Sequence, residues 1–206
     1  MPRVVLIDLD DTLFDRGAAF VRWAEQFVAD RAVGLDRARH EAAVAMLAAI
    51  DARGRAPRRW VAQQIVERLG LDQDPAKLAA RMGTELVAYV TKEPGVDETV
   101  AELGRGGALA VVSNGRGPVQ RAKLARLGLA DAFGAVFVSG EVGCAKPSRR
   151  IFERALAWAG CSPADALMIG DDPELDLAPA RTMGMATLWV DRGSGGSIAS
   201  AVAHAA

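Results

Sequence analysis

Two carboxylates stand two residues apart at Asp8 and Asp10, with a third at Asp11, directly after the apolar run Val4–Ile7. Carboxylates crowded at the end of a buried strand repel one another and resist ionisation unless a cation joins them, so the pattern points to a hard divalent metal such as Mg2+ held by oxygen. A helix start is the competing reading, with Asp11 or Thr12 as the capping residue. A second acidic cluster, Asp171, Asp172, Glu174 and Asp176, follows the run Ala166–Ile169. Strands of one parallel sheet release their following residues at the same edge, where one metal could be shared by Asp8 and Asp171. Ser113-Asn114-Gly115 offers a hydroxyl and backbone N–H groups near a helix start, a cradle for phosphate oxygens, although such a turn is common in itself. Lys146 precedes Pro147 in a further loop; alone it reads as a surface charge, and beside phosphate and carboxylates it becomes a counter-charge.

The elements that must position these residues are short apolar runs at Val4–Ile7, Ala108–Val112, Ala135–Val138, Ala166–Ile169 and Ala186–Val190. From the second onward they alternate with helix-like stretches, which predicts an α/β fold: a Rossmann-like parallel sheet with helices on both faces. Between the first two runs nearly a hundred residues pass without a strand pattern. Phe20, Trp23, Ala24, Phe27 and Val28 instead follow the spacing of an amphipathic helix, as do Val44, Leu47 and Ala48, then Val61, Ile65 and Leu69, then Leu78, Met82 and Leu86. A small all-α unit of about four helices is therefore expected over 16–92, leaving 1–15 and 93–206 as the sheet domain. Arg16-Gly17 marks the exit and Pro94-Gly95 the return. The Gly/Ser- and Ala-rich stretch from Gly193 to Ala206 reads as a flexible tail.

Taken in order, Asp8-x-Asp10-x-Thr12, Ser113, Lys146-Pro147, and Gly170-Asp171 with Asp176 resemble the four motifs of the haloacid dehalogenase-like hydrolase superfamily, and the resemblance extends over essentially the whole chain, the helical insertion included. It implies a phosphatase for a small-molecule phosphate monoester, with Asp8 as nucleophile forming an aspartyl-phosphate and Asp10 as general acid and base. It also implies Mg2+ held by Asp8, the Asp10 carbonyl and Asp171, with Thr12, Ser113, Asn114 and Lys146 around the phosphoryl group. Asp176 would anchor Lys146 or a metal-bound water, and Asp172 could do either; a small polar residue is common where Asp172 stands, and Asn where Leu175 stands. Dehalogenases of the family lack an acid at the position of Asp10, which favours phosphate chemistry. A phosphosugar mutase and a non-catalytic binding protein on the same fold are the alternatives.

Composition narrows the field further. The 25 basic residues nearly balance 26 acidic ones, so no global field draws in nucleic acid or an acidic membrane. No run approaches membrane-spanning length, Cys144 and Cys161 have neither disulfide nor metal spacing, and a cytoplasmic protein is expected. His40 and His204 are not placed to serve as bases. Substrate identity is expected in the helical insertion, now read as a cap: Arg16, Arg58 and Arg59, with Arg116 in the sheet domain, are the candidate contacts. An exposed basic loop is the plainer account of Arg53, Arg55, Arg58 and Arg59 beside Trp60. Phe20, Trp23, Phe27 and Trp60 are expected to pack rather than stack on a substrate. The sequence is neutral between a monomer and a homodimer.

Overall fold

The computed structural model describes residues 2–31 and 34–205. In chain order, β1 (Val4–Ile7) precedes four helices, α1 (Arg16–Arg31), α2 (Arg37–Asp51), α3 (Arg58–Leu69) and α4 (Pro75–Leu86). There follow α5 (Val96–Gly106), β2 (Ala108–Ser113), α6 (Gly117–Arg126), β3 (Ala135–Val138), the single turn α7 (Ser139–Val142), α8 (Arg149–Ala159), β4 (Ala166–Gly170), α9 (Ala178–Met183), β5 (Ala186–Trp189) and α10 (Ile198–Ala205). The chain divides into two compact units, Met1–Asp15 with Thr91–Ala206, and Arg16–Val90.

The first unit is built on a five-stranded, all-parallel sheet in the order β3-β2-β1-β4-β5. Its strands coincide with the apolar runs to within a residue at their ends. β1 is central and buried along its whole length, which is why Val4–Ile7 shows no polar alternation. Side chains of β1 point alternately to the two faces. Val4 and Leu6 pack with Val112, Met168 and the α8 residues Ile151 and Phe152, while on β2 Leu109 turns the other way, towards Gly104 of α5. Both faces are thus covered by helices. The chain runs outward from β1 through β2 to β3, then returns to place β4 on the other side of β1. That reversal opens a crevice at the carboxyl ends of β1 and β4, where ligands bind in open α/β sheets.

The stretch from Gly193, expected to be a loose tail, instead forms a short turn and then α10, packed on α5 and β5 with Ile198 buried. Four alanines in Ile198–Ala205 supply the helix propensity that the neighbouring glycines and serines obscured. Ala206, the last residue of that stretch, lies outside the described residues.

The second unit is helical, and each apolar stripe turns inward: Phe20, Trp23 and Phe27 of α1, Leu47 of α2, Ile65 of α3 and Leu78 of α4 are all buried. The α1 aromatics stack along one face, with centroids 5.2 and 4.7 Å apart. Asp36 and Asp74 cap α2 and α4 through the amides of Arg39 and Ala76. Trp60 departs from the packing role expected of it, because it lies on the outer side of α3 and is 47% exposed. Leu69 is only half-buried, so the α3 stripe ends at Ile65.

Candidate active site

Four loops at the carboxyl edge of the sheet carry the polar residues singled out above. Asp8 is the first residue beyond β1, and its amide donates to the Ile169 carbonyl at 2.9 Å, extending the β1–β4 ladder by one step. This locks the backbone at Asp8 beside β4, whose last residue, Gly170, delivers Asp171 at the same level. One oxygen each from Asp8, Asp171 and Asp176 come within 4.8 Å of one another. Lys146 bridges two of them, donating from Nζ to Asp8 Oδ1 at 2.5 Å and to Asp176 Oδ1 at 2.6 Å.

The electrostatics of this cluster are unbalanced. Burial, the largest influence, raises the Asp8 carboxyl well above the ordinary carboxylate range; Lys146 opposes the rise, and Asp176 and Asp171 add to it. Burial also disfavours the Lys146 ammonium, but its two carboxylate partners outweigh that, and its pKa is raised. Three carboxylates therefore face one ammonium, and a further cation would relieve the remaining repulsion. Their donor atoms are all hard oxygens, which suit Mg2+ and not a thiolate-seeking metal.

Asp176 is held in place from behind. Its Oδ2 accepts the Asp172 amide at 3.2 Å, and Gly170 leaves it room. A Cβ on Gly170 would come within 2.4 Å of Asp176 Oδ2 and 2.7 Å of its Cβ, a collision that a short, buried side chain cannot escape by rotating. Gly170→Ala is accordingly expected to destabilise the fold by about 1–3 kcal/mol, read as a lower urea midpoint with an unchanged slope.

Several candidates take other places than expected. The Asn114 carboxamide, expected at a phosphate, is turned to the backbone of Lys146: Nδ2 donates to the Lys146 carbonyl at 3.0 Å and Oδ1 accepts its amide at 2.8 Å. A carboxamide matches a peptide group donor for acceptor, so Asn114 fixes the loop that carries the lysine. Asp172 caps the π-helical turn Pro173–Leu177, accepting from Glu174 and Leu175 through Oδ1 at 2.9 and 3.0 Å. Ser113 is buried at the end of β2, with Oγ receiving the Gln120 amide at 2.7 Å. Thr12 is buried too, and its Oγ1 meets no hydrogen-bonding partner among the described residues.

The candidate substrate arginines are scattered. Arg16 is buried within the helical unit in a two-pronged ion pair with Asp51, so its charge is matched inside that unit. Arg58 lines a small cavity there with Phe20, Trp23 and Met82. Arg59 is exposed on α3, and Arg116 is exposed at the cap position of α6.

Three residues at this edge escaped the sequence reading. Gln120 and Lys123 of α6 both reach the Asp10 carboxylate. The signal for them was a glutamine and a lysine sharing one helix face with Val119 and Leu124, where an apolar stripe would be expected. Arg192 donates to the carbonyls of Asp11 and Thr12 at 2.6 and 3.1 Å and pairs with Glu93 through both Nη atoms at 2.8 and 2.7 Å. It braces the segment in which Asp11 takes a left-handed φ of 58°, a conformation that costs a non-glycine residue energy.

Comparison with known proteins agrees with this geometry. Residues 2–184 match the model of the haloacid dehalogenase-like hydrolases, and the chain belongs to that family. It is 46% identical over 101 residues to a phosphoserine phosphatase of Thermus thermophilus, a match that takes in 48% of this chain and 41% of that protein. It is 31% identical over 197 residues to a glyceraldehyde 3-phosphate phosphatase of Methanothermobacter thermautotrophicus, covering 93% and 86% of the two chains. Among solved structures, the putative HAD-hydrolase YfnB from Bacillus subtilis bound to magnesium superposes with a TM-score of 0.76 at 24% identity over 92% of this chain and 89% of that one, a likeness of fold. The chain thus spans less than half of the first relative and most of the second. No helix among the described residues is long and apolar enough to cross a membrane.

Proposed function

We propose that the protein hydrolyses a small-molecule phosphate monoester with the help of Mg2+, through a phosphorylated Asp8. The observation that carries this reading is the convergence of Asp8 and Asp171, just beyond the ends of the adjacent strands β1 and β4, with Asp176 of the turn that follows, and with Lys146 bridging Asp8 and Asp176. Both relatives described above are phosphatases by name.

On this reading an Asp8 oxygen attacks phosphorus, the bond to the leaving alcohol breaks, and water then attacks the aspartyl-phosphate to release inorganic phosphate. Asp10 gives a proton to the departing oxygen and takes one from the attacking water. Lys146 neutralises phosphoryl oxygens while keeping Asp8 in line, and the hydroxyls of Ser113 and Thr12 supply hydrogen bonds to the same group. Asp8, Asp171 and the Asp10 carbonyl would hold Mg2+, whose contribution is to offset charge on the phosphoryl oxygens and on the carboxylates themselves. Asp176 fixes Lys146, and Asp172 shapes the turn that carries Asp176. The helical unit acts as a cap that excludes water and selects the substrate, on a protein working in the cytoplasm.

The test is release of inorganic phosphate from a panel of small-molecule esters by the purified chain, with Mg2+ and after chelation, together with mass analysis of acid-quenched protein for a phosphoryl group on the Asp8 peptide. Metal-dependent release with that adduct is expected; no release from any ester would sink the reading.

Mg2+ should also raise the melting temperature, and the sign of its pH dependence follows from Asp8. Because the folded pKa is raised, the stability Asp8 contributes without metal is present at low pH and lost as pH rises through that value. A cation reverses the loss, so the Mg2+-induced shift should grow as pH rises from the ordinary carboxylate range towards and past neutrality. In Asp8→Asn this growth should flatten, as followed by calorimetry across that range.

A further inference from the structure

We propose that Lys123, assisted by Gln120, is the positioning residue for the Asp10 carboxyl group. The inference rests on the phosphatase reading and adds to it the source of the alignment of Asp10. Asp10 follows β1 by three residues, while the side chains that hold it come from α6, 113 residues further along for Lys123. Nζ of Lys123 donates to Oδ1 at 2.6 Å and to Oδ2 at 2.8 Å, and Nε2 of Gln120 donates to Oδ2 at 2.7 Å. The two donors are three residues apart on one helix and so share a face. They approach a carboxylate from two directions, which fixes the plane of the group as well as its position.

Packing does not call for this arrangement. Lys123 is 3% exposed, with its ammonium 5.8 Å from the centre of the Phe14 ring, and Gln120 is 2% exposed. Burying a charge or an amide is unfavourable unless it is paired. The carboxylate of Asp10 is the pairing that makes a buried lysine tolerable here. Gln120 does more, because its amide also reaches Ser113 Oγ at 2.7 Å and the Asn114 carbonyl at 3.2 Å. The proton-transfer group and the serine proposed to meet phosphate are thereby tied to a single side chain. Alignment of this kind contributes to rate by holding the reacting groups in register before the bond breaks.

The consequence is selective. As the P–O bond breaks, the proton on Asp10 passes to the departing oxygen, a transfer that strongly basic alkoxides need and activated phenolates hardly need. Lys123→Met in the full chain with Mg2+ should therefore lower kcat by about 100-fold on alkyl phosphates and by less than about 10-fold on the most activated aryl phosphates. Lys123→Arg, which can still donate to both oxygens, should recover much of the loss. In an Asp10→Asn background the further effect of Lys123→Met should fall below about 3-fold, since its route through Asp10 is already gone.

An equal loss on every leaving group, or penalties that multiply in the double variant, would show a merely structural lysine and overturn the inference while leaving an Asp8-dependent phosphatase intact. Failure of the wild-type chain to release phosphate from any ester would overturn both.

Discussion

Asp8→Asn is expected to lower phosphate release by about 10,000-fold or more without unfolding the protein. The substitution keeps the size and shape of the side chain and removes the charge from the oxygen proposed as nucleophile. Stability should not suffer, because burial and its acidic neighbours already oppose ionisation of Asp8. Lys146 retains Asp176 as a partner. In metal-free buffer the variant should melt at or above the wild-type temperature, and only the wild type should gain strongly from Mg2+. Steady-state assays on the same ester panel, paired with calorimetry, check both halves. Activity within about 10-fold of wild type would rule out Asp8 as the group that is phosphorylated.

Lys146→Met is expected to lower both stability and activity. Asp8 and Asp176 are buried and share this one ammonium, so its removal leaves two buried carboxylates facing each other. Loss of one partner from a buried pair costs about 3–5 kcal/mol, visible as a lower denaturant midpoint. The expected loss of kcat is about 100- to 1,000-fold, the scale of removing a preorganised charge from a transition state. Lys146→Met/Asp176→Asn separates the two effects: taking away the second buried charge should return part of the stability and none of the rate. Should the double variant recover activity as well, Lys146 would be a structural counter-ion and nothing more.

The contrast between Lys146 and Lys123 shows which parts of such a site can be read from a sequence. Buried parallel strands announce themselves as continuous apolar runs, and the residue after each run must emerge at one edge of the sheet. Asp8 and Asp171 can therefore be placed together from the sequence, and the helical insertion is legible from four amphipathic stripes. Lys146 entered by its order among the four motifs. What strand ends do not encode is the rotation of a helix about its own axis or the choice of rotamer. Lys123 meets Asp10 because of how α6 is turned, and Asn114 faces the Lys146 backbone because its carboxamide finds a matching peptide group there. Trp60 looked like a core residue because composition favours burying tryptophan, yet the helix places it outside. Asp172 could have been recognised as a cap from the Asp-Pro-Glu order, since proline suits the first helical position and an aspartate before it accepts the free amides.

Arg192 carries an implication for how such a protein can change over time. Its guanidinium reaches the carbonyls of Asp11 and Thr12 on one side and both Glu93 oxygens on the other. The chain leaves the sheet unit shortly after the first of these segments and re-enters it just before the second. The segment before the inserted helices and the segment after them are therefore tied together by residues belonging to the sheet unit alone. Asp8, Lys146 and Asp171 all belong to the sheet unit, so an insertion of another length between these segments would replace none of them. The residues proposed for the chemistry and the helices open to replacement are thus separable along the chain, so that one could be inherited while the other varies.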